Sequence, residues 1–210
     1  MDFYGIPSVN QAYHFVSTCK PYKIRKALLS DGDTEKEVFV IGLRGTDGSF
    51  DKNNPLSIPV CVRAGFGKDN IFKSVVKAAM LKEIPTGSDV VFLGHSLGGM
   101  VCQHLAADEE LQKNFNILNV LTFGSPYVLG KGDKCKLHRM IEKTDMIPLT
   151  LSNAFLLNCF IGKPSIESCG FLFKPYGAHC TSYEFSEKFA QYDCFGIKNG
   201  KHILHLTEEL

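Results

Sequence analysis

The sequence has no tryptophan and lacks the patterns that announce several common chemistries. No C-x-x-C and no H-E-x-x-H occurs, so no metal site is indicated. No apolar run approaches the roughly 20 residues of a membrane-spanning helix. No basic run and no RNA-binding signature is present. The net charge of +1, from 23 Lys and Arg against 22 Asp and Glu, gives no bulk attraction to nucleic acid. The opening Met1-Asp2-Phe3-Tyr4 is not a charged segment leading into an apolar stretch, so no leader peptide is expected. No internal repeat or low-complexity segment stands out.

What is present is a globular composition, 44% hydrophobic and 21% charged over 210 residues, which suits one domain spanning residues 1–210 with a sizeable core. Eight cysteines could form four disulfides. Without a leader, and with Cys61 and Cys102 in expected core elements, free thiols in a reducing, cytoplasmic setting are the expectation.

The apolar pattern predicts strands at 24–29 and 38–43 joined by the polar turn 30–36, a short strand at 59–63, and strands at 90–93, 117–123 and 136–141. Residues 1–20 are weakly patterned and suit a short helix packed on an edge. Ile71, Phe72, Val75, Val76, Ala79 and Met80, interleaved with Lys73, Lys77 and Lys82, predict an amphipathic helix over 71–81. A second hairpin is expected from strands at 170–173 and 181–185 around Lys174-Pro175-Tyr176-Gly177, and a last helix from about His202 to the end. Strands alternating with helices imply an α/β protein with a mostly parallel sheet.

The most informative stretch is Gly94-His95-Ser96-Leu97-Gly98-Gly99, directly after Val90-Val91-Phe92-Leu93. This is a strand feeding a G-x-S-x-G turn, followed by Met100, Val101, His104 and Leu105 at helical spacing. Such a turn lifts a serine hydroxyl to the tip of a sharp strand-to-helix bend. A serine there needs a base to take its proton and a carboxylate to orient that base. Downstream of Ser96, Asp145 is the best acid, placed after a predicted strand and before Met146-Ile147-Pro148. Asp133 reads as part of a solvated turn, and Asp108 as a surface cap. Three histidines follow as bases: His179, on an expected hairpin strand, and His202 and His205, at an expected helix start that favours His202. The backbone N–H of Leu97 and the N–H or hydroxyl of Thr46 suit an oxyanion hole.

Taken in order, these residues resemble the class 3 lipase family. Val40-Ile41-Gly42-Leu43-Arg44-Gly45-Thr46 is similar to the family's strand ending in F-R-G-T/S, with leucine for phenylalanine. Arg63-Ala64-Gly65-Phe66 resembles H-x-G-F, with arginine for histidine. Gly94–Gly99 is the G-H-S-L-G-G elbow, Thr122-Phe123-Gly124-Ser125-Pro126 resembles T-F-G-x-P, and Asp145-Met146-Ile147-Pro148 resembles D-x-V-P. The resemblance covers about residues 24–150 well. It implies an α/β-hydrolase fold with a mostly parallel sheet, and a carboxylic ester hydrolase (lipase, phospholipase or esterase) needing no cofactor. Ser96 is then the nucleophile, Asp145 the acid, and Thr46 and Leu97 the oxyanion donors. The family's histidine stands in an H-x-x-Y context late in the chain, which His202-Ile203-Leu204-His205 fits better than His179 does.

Two departures qualify that picture. The interval 47–62, where many family members carry an amphipathic helical lid, is polar, contains Pro55 and Pro59, and has no helical apolar face, so a minimal lid is expected. Residues 149–161 are strongly apolar and suit either a core helix or a flap touching acyl chains or a membrane surface. A non-catalytic lipase-like binding module, and an acyltransferase or thioesterase using the same triad, remain the alternatives.

Overall fold

The computed structural model describes residues 5–142, 145–149, 153, 165–166 and 179–209. In chain order its elements are β1 (Gly5–Ile6), α1 (Val9–Ser17), β2 (Tyr22–Ser30), β3 (Glu35–Leu43), α2 (Ile58–Gly65), α3 (Ile71–Glu83) and β4 (Asp89–His95). There follow α4 (Leu97–Ala106), α5 (Glu109–Asn114), β5 (Asn116–Phe123), β6 (Leu137–Glu142), β7 (Ser165–Ile166), α6 (Ser182–Phe185) and β8 (Ile203–Glu209). The strands form one sheet in the order β1-β8-β2-β3-β4-β5-β6-β7.

The fold is α/β, but the sheet is mixed. From β3 to β7 the four pairings are parallel; β1–β8, β8–β2 and β2–β3 are antiparallel. The antiparallel half arises because the β2–β3 hairpin turns tightly at Asp31–Thr34, where the Asp31 carboxylate accepts both the Asp33 and the Thr34 N–H. β8 then returns along β2 from the far end of the chain.

Side-chain alternation on the central strands builds a three-layer core. Phe39, Ile41 and Leu43 of β3 join Val90 and Phe92 of β4 under α2, α3, α4 and α5. Val38, Val40, Val91 and Leu93 face the other way, toward α1 and Tyr183 of α6. In α3 the buried residues Phe72, Val76, Ala79 and Met80 recur every three to four positions, and the Asn70 side chain caps the helix by accepting from the Lys73 N–H.

Three expected elements differ. Residues 59–63 lie in helix α2 rather than a strand, because Pro59 sits in the first turn, where its fixed φ and missing N–H cost nothing, and Val60, Cys61 and Ala64 bury one helical face. The same helix occupies the end of the interval expected to lack a helical apolar face, and it is part of the core. Residues 182–185 form helix α6, not a strand. The expected last helix is strand β8, in which Leu204 and Leu206 are buried while Ile203, His205 and Thr207 are less so, a period of two. The 170–173 strand and the 174–177 turn lie outside the described residues, as does the 149–161 segment apart from Leu149 and Asn153. All six described cysteines, Cys19, Cys61, Cys102, Cys135, Cys180 and Cys194, are unbridged.

Candidate active site

The elbow is built by the close approach of three segments. Ser96 has φ 52° and ψ −118°, a conformation that side-chain-bearing residues rarely hold and that costs about 1–3 kcal/mol. The glycines on either side let the backbones close around it. A Cβ on Gly94 would come within 2.7 Å of the Gly98 backbone, and one on Gly98 would collide with the Leu43 carbonyl. The end of β3 therefore rests directly against the first turn of α4. The Ser96 N–H donates to the Phe123 carbonyl (2.9 Å), which ties the elbow to the end of β5.

Next to Phe123 is Gly124, at φ 54°. A Cβ there would stand 2.6 Å from Asp145 Oδ2 and 2.9 Å from His179 Nδ1. Asp145 and His179 thus meet over the end of β5, one residue from the carbonyl that holds Ser96. His179 Nδ1 donates to Asp145 Oδ2 at 2.8 Å. With that nitrogen protonated against a carboxylate, Nε2 is left as the acceptor of the neutral ring. The Tyr183 hydroxyl donates to the same Oδ2 at 2.7 Å and accepts the Glu142 N–H, and the Ile147 N–H donates to Asp145 Oδ1. Ser96, Asp145 and His179 are 3%, 1% and 7% exposed.

Helix α1 fastens this segment to the elbow. Asn10 donates to the carbonyls of Tyr183, Glu184 and Ser186, and Tyr13 donates to the Cys180 carbonyl. The Tyr13 ring meets His95 edge-on at 5.2 Å. His95 Nε2 donates to the His179 carbonyl at 2.9 Å, and the two imidazoles lie 4.5 Å apart. Burial, and after it the proximity of His179, push His95 down to about 3, so it stays neutral at ordinary pH.

The structure brings the four other sequence candidates to different places. Leu97 is the first residue of α4, where its N–H has no partner within the helix. Thr46 follows Gly45, whose Cβ would stand 3.1 Å from Ser96 Cβ. The Thr46 hydroxyl already donates to the Leu56 carbonyl at 2.5 Å and accepts the Gly48 N–H, so only its backbone N–H remains for the expected donor role. His202, the favoured base, is not at the elbow. Its Nδ1 donates to Asp193 Oδ2 at 2.6 Å, and its ring stacks on Phe195 at 4.5 Å. Residue 203 pairs with Ser30, and Ser30 with Glu35 at the start of β3, whereas Leu43 at the end of β3 pairs with Gly94. Eight residues of strand, about 26 Å, therefore separate the His202 end from the elbow end. His205 sits on β8 opposite Gly5 and Leu28, also far from Ser96. Sequence reasoning missed Tyr183, though a tyrosine one helical turn after His179 was visible.

A cleft of about 290 Å³ opens beside the elbow, lined by residues that include Tyr13, Arg44, Gly45, Thr46, His95 and Cys180. Among the described residues no group of three or more His, Cys, Asp or Glu is placed to hold a metal ion.

The model of the class 3 lipase family matches residues 67–154. Among solved structures, the chain is similar to the extracellular lipase LipA from Serratia marcescens, at 23% identity and a TM-score of 0.34 over 56% of this chain and 21% of that one. It is also similar to M37 lipase, at 14% identity and a TM-score of 0.34, over 65% of this chain and 59% of that one. This chain thus spans about a fifth of the first protein and three fifths of the second. No curated protein matches it. The residues that match this family model, 67–154, include both Ser96 and Asp145.

Proposed function

We propose that this chain cleaves carboxylic esters of lipids through Ser96, His179 and Asp145, in an α/β-hydrolase arrangement with the parallel half of the sheet carrying the site. The observation that carries the reading is the His179 Nδ1–Asp145 Oδ2 bond seated on Gly124, beside a serine held at φ 52°. The match of residues 67–154 to the class 3 lipase model supports lipid esters as the substrate class.

In this reading His179 Nε2 takes the Ser96 proton as Oγ attacks the ester carbonyl. Asp145 keeps the imidazole in the tautomer that accepts at Nε2 and stabilises the imidazolium that forms. The N–H groups of Leu97 and Thr46 receive the oxyanion, each worth about 3 kcal/mol to the transition state. His179 then returns the proton to the leaving alcohol, and a water molecule releases the acyl group by the reverse sequence. The polarity of the steps needs no cofactor. His202, engaged with Asp193 at the other end of the sheet, has no part in them.

A fluorophosphonate probe tests the assignment. The wild-type protein is expected to be labelled, and Ser96→Ala to be unlabelled while its circular dichroism stays the same. Labelling that persists in Ser96→Ala, or a folded wild type that takes no label, overturns it.

A further inference from the structure

The cleft beside Ser96 contains a cation that pairs with no described residue. The Arg44 N–H donates to the Pro21 carbonyl, but its exposed guanidinium makes no hydrogen bond or ion pair with any described residue. The nearby carboxylates are already engaged. Asp47 accepts from the Ser49 N–H and from Asn54 Nδ2, Glu184 holds His14 at 2.8 Å, and Asp145 holds His179. The charge of Arg44 nevertheless acts on the site, since it contributes to holding His95 neutral.

A second charged cleft, about 480 Å³, shows the contrast. There Lys73 is paired with Asp69 and Asp108, and Lys77 with Asp108 and Glu110. Those lysines satisfy their neighbours and have little left for a ligand. Arg44 offers a planar fork of donors suited to two oxygens of one anion.

Position fixes what the anion is attached to. Arg44 precedes Thr46 by two residues, so their Cα atoms are at most about 7 Å apart. Both residues line the same cleft, so an anion on the guanidinium shares it with a carbonyl at the Thr46 N–H. The cleft is at the small end of the range for ligand pockets, room for a compact polar head and not for several acyl chains.

We propose that Arg44 binds a phosphate or carboxylate carried by the ester itself, so that the site selects anionic acyl esters over neutral ones. This rests on Ser96 acting as the nucleophile. Arg44 is here a specificity-determining residue, contacting the part of the substrate that does not react.

The test compares hydrolysis of 1-acylglycerol 3-phosphate, the matching 1-acylglycerol hemisuccinate and neutral 1-acylglycerol, all below their micelle concentrations. The kcat/KM ratio of anionic to neutral ester is expected to fall roughly 10- to 100-fold in Arg44→Gln, chiefly through KM, with part of it kept in Arg44→Lys. The two anionic esters separate a phosphate site from a carboxylate site. The wild-type ratio is also expected to shrink as salt rises, because Arg44 is exposed. An unchanged ratio in Arg44→Gln, with both ester types turned over, overturns the proposal and leaves the hydrolase reading intact. Should wild type turn over none of the three, that reading fails, and calorimetry of 1-acylglycerol 3-phosphate with Ser96→Ala and with Ser96→Ala/Arg44→Gln decides the anion site. Equal affinities overturn it; a loss of roughly 10-fold or more in the double variant upholds it.

Discussion

Asp145 and Asp193 each hold a histidine by its Nδ1, at 2.8 and 2.6 Å, and each carboxylate is buried. Locally they are two versions of one motif. Asp193 also accepts the N–H groups of Phe195 and Ile197 on Oδ1 and that of His202 on Oδ2, so its charge organises the loop from 193 to 202. His202 is pinned there by stacking on Phe195. Asp145 receives one backbone N–H, a tyrosine hydroxyl and the imidazole, and lies beyond the C-terminal end of a parallel strand, where ligand sites in α/β sheets gather. The strand direction, and not the carboxylate–imidazole bond, separates the pair at the elbow end of the sheet from the pair at the far end.

The strongest way to break that comparison is to remove each ring in turn. His179→Ala is expected to lower kcat/KM on the order of 10⁴-fold or more, because the serine loses its base. His202→Ala is expected to stay within about threefold of wild type once the folded fraction is matched, since its ring is held by Asp193 and Phe195 at the far end of the sheet. Steady-state kinetics on a monomeric ester reads both. Comparable losses in the two variants would mean that the Asp193 pair serves the reaction.

A finer distinction concerns what supports each carboxylate. Tyr183→Phe removes a donor to Asp145 Oδ2 and the acceptor of the Glu142 N–H in one step. We expect roughly a tenfold fall in kcat with KM little changed, and a stability loss of about 1–3 kcal/mol from the two buried hydrogen bonds removed. Denaturant melts and initial rates measured on the same preparation separate the two effects. A loss of stability with kcat intact would make Tyr183 a packing residue only.

The sequence made the parallel strands and the β2–β3 hairpin legible, and the antiparallel return of β8 not. Strands β3, β4, β5 and β6 and the helices α3 and α4 were visible as apolar runs and periodic stripes, and the elbow stood out because Gly94 and Gly98, at fixed spacing about Ser96, answer to two close backbone approaches. Asp145 could be placed because it follows a strand whose direction is set by its parallel neighbours. The local pattern favoured His202 over His179 as the base, and what sets the two apart is which end of the sheet each reaches. That depends on β8 returning antiparallel to β2, a pairing across about 180 residues that local pattern does not encode. Helix α2 was misread for a related reason. Ile58, Val60 and Val62 alternate like a strand, and only the packing of Val60, Cys61 and Ala64 on α4 settles the helix.

The smallest expected effect also sets the two regions apart. His95, beside the elbow, is held neutral down to about 3 chiefly by burial, whereas in the unfolded chain its imidazole titrates near 6.5. Between those values the unfolded state binds a proton that the native state refuses. Stability is therefore fully present above about pH 6.5 and declines as pH falls toward 3, by at most about 1.4 kcal/mol per pH unit from this residue. His104 and His138 are lowered by burial too and act in the same direction, so the wild-type slope has several contributors. His95→Asn removes one of them. Urea unfolding at intervals from pH 7 to 4 is expected to give a shallower decline in His95→Asn than in wild type, with the difference approaching one proton. Identical slopes would mean that His95 takes up its proton in the folded protein, and that the crowding of His95 against His179 costs the active-site region no acid stability.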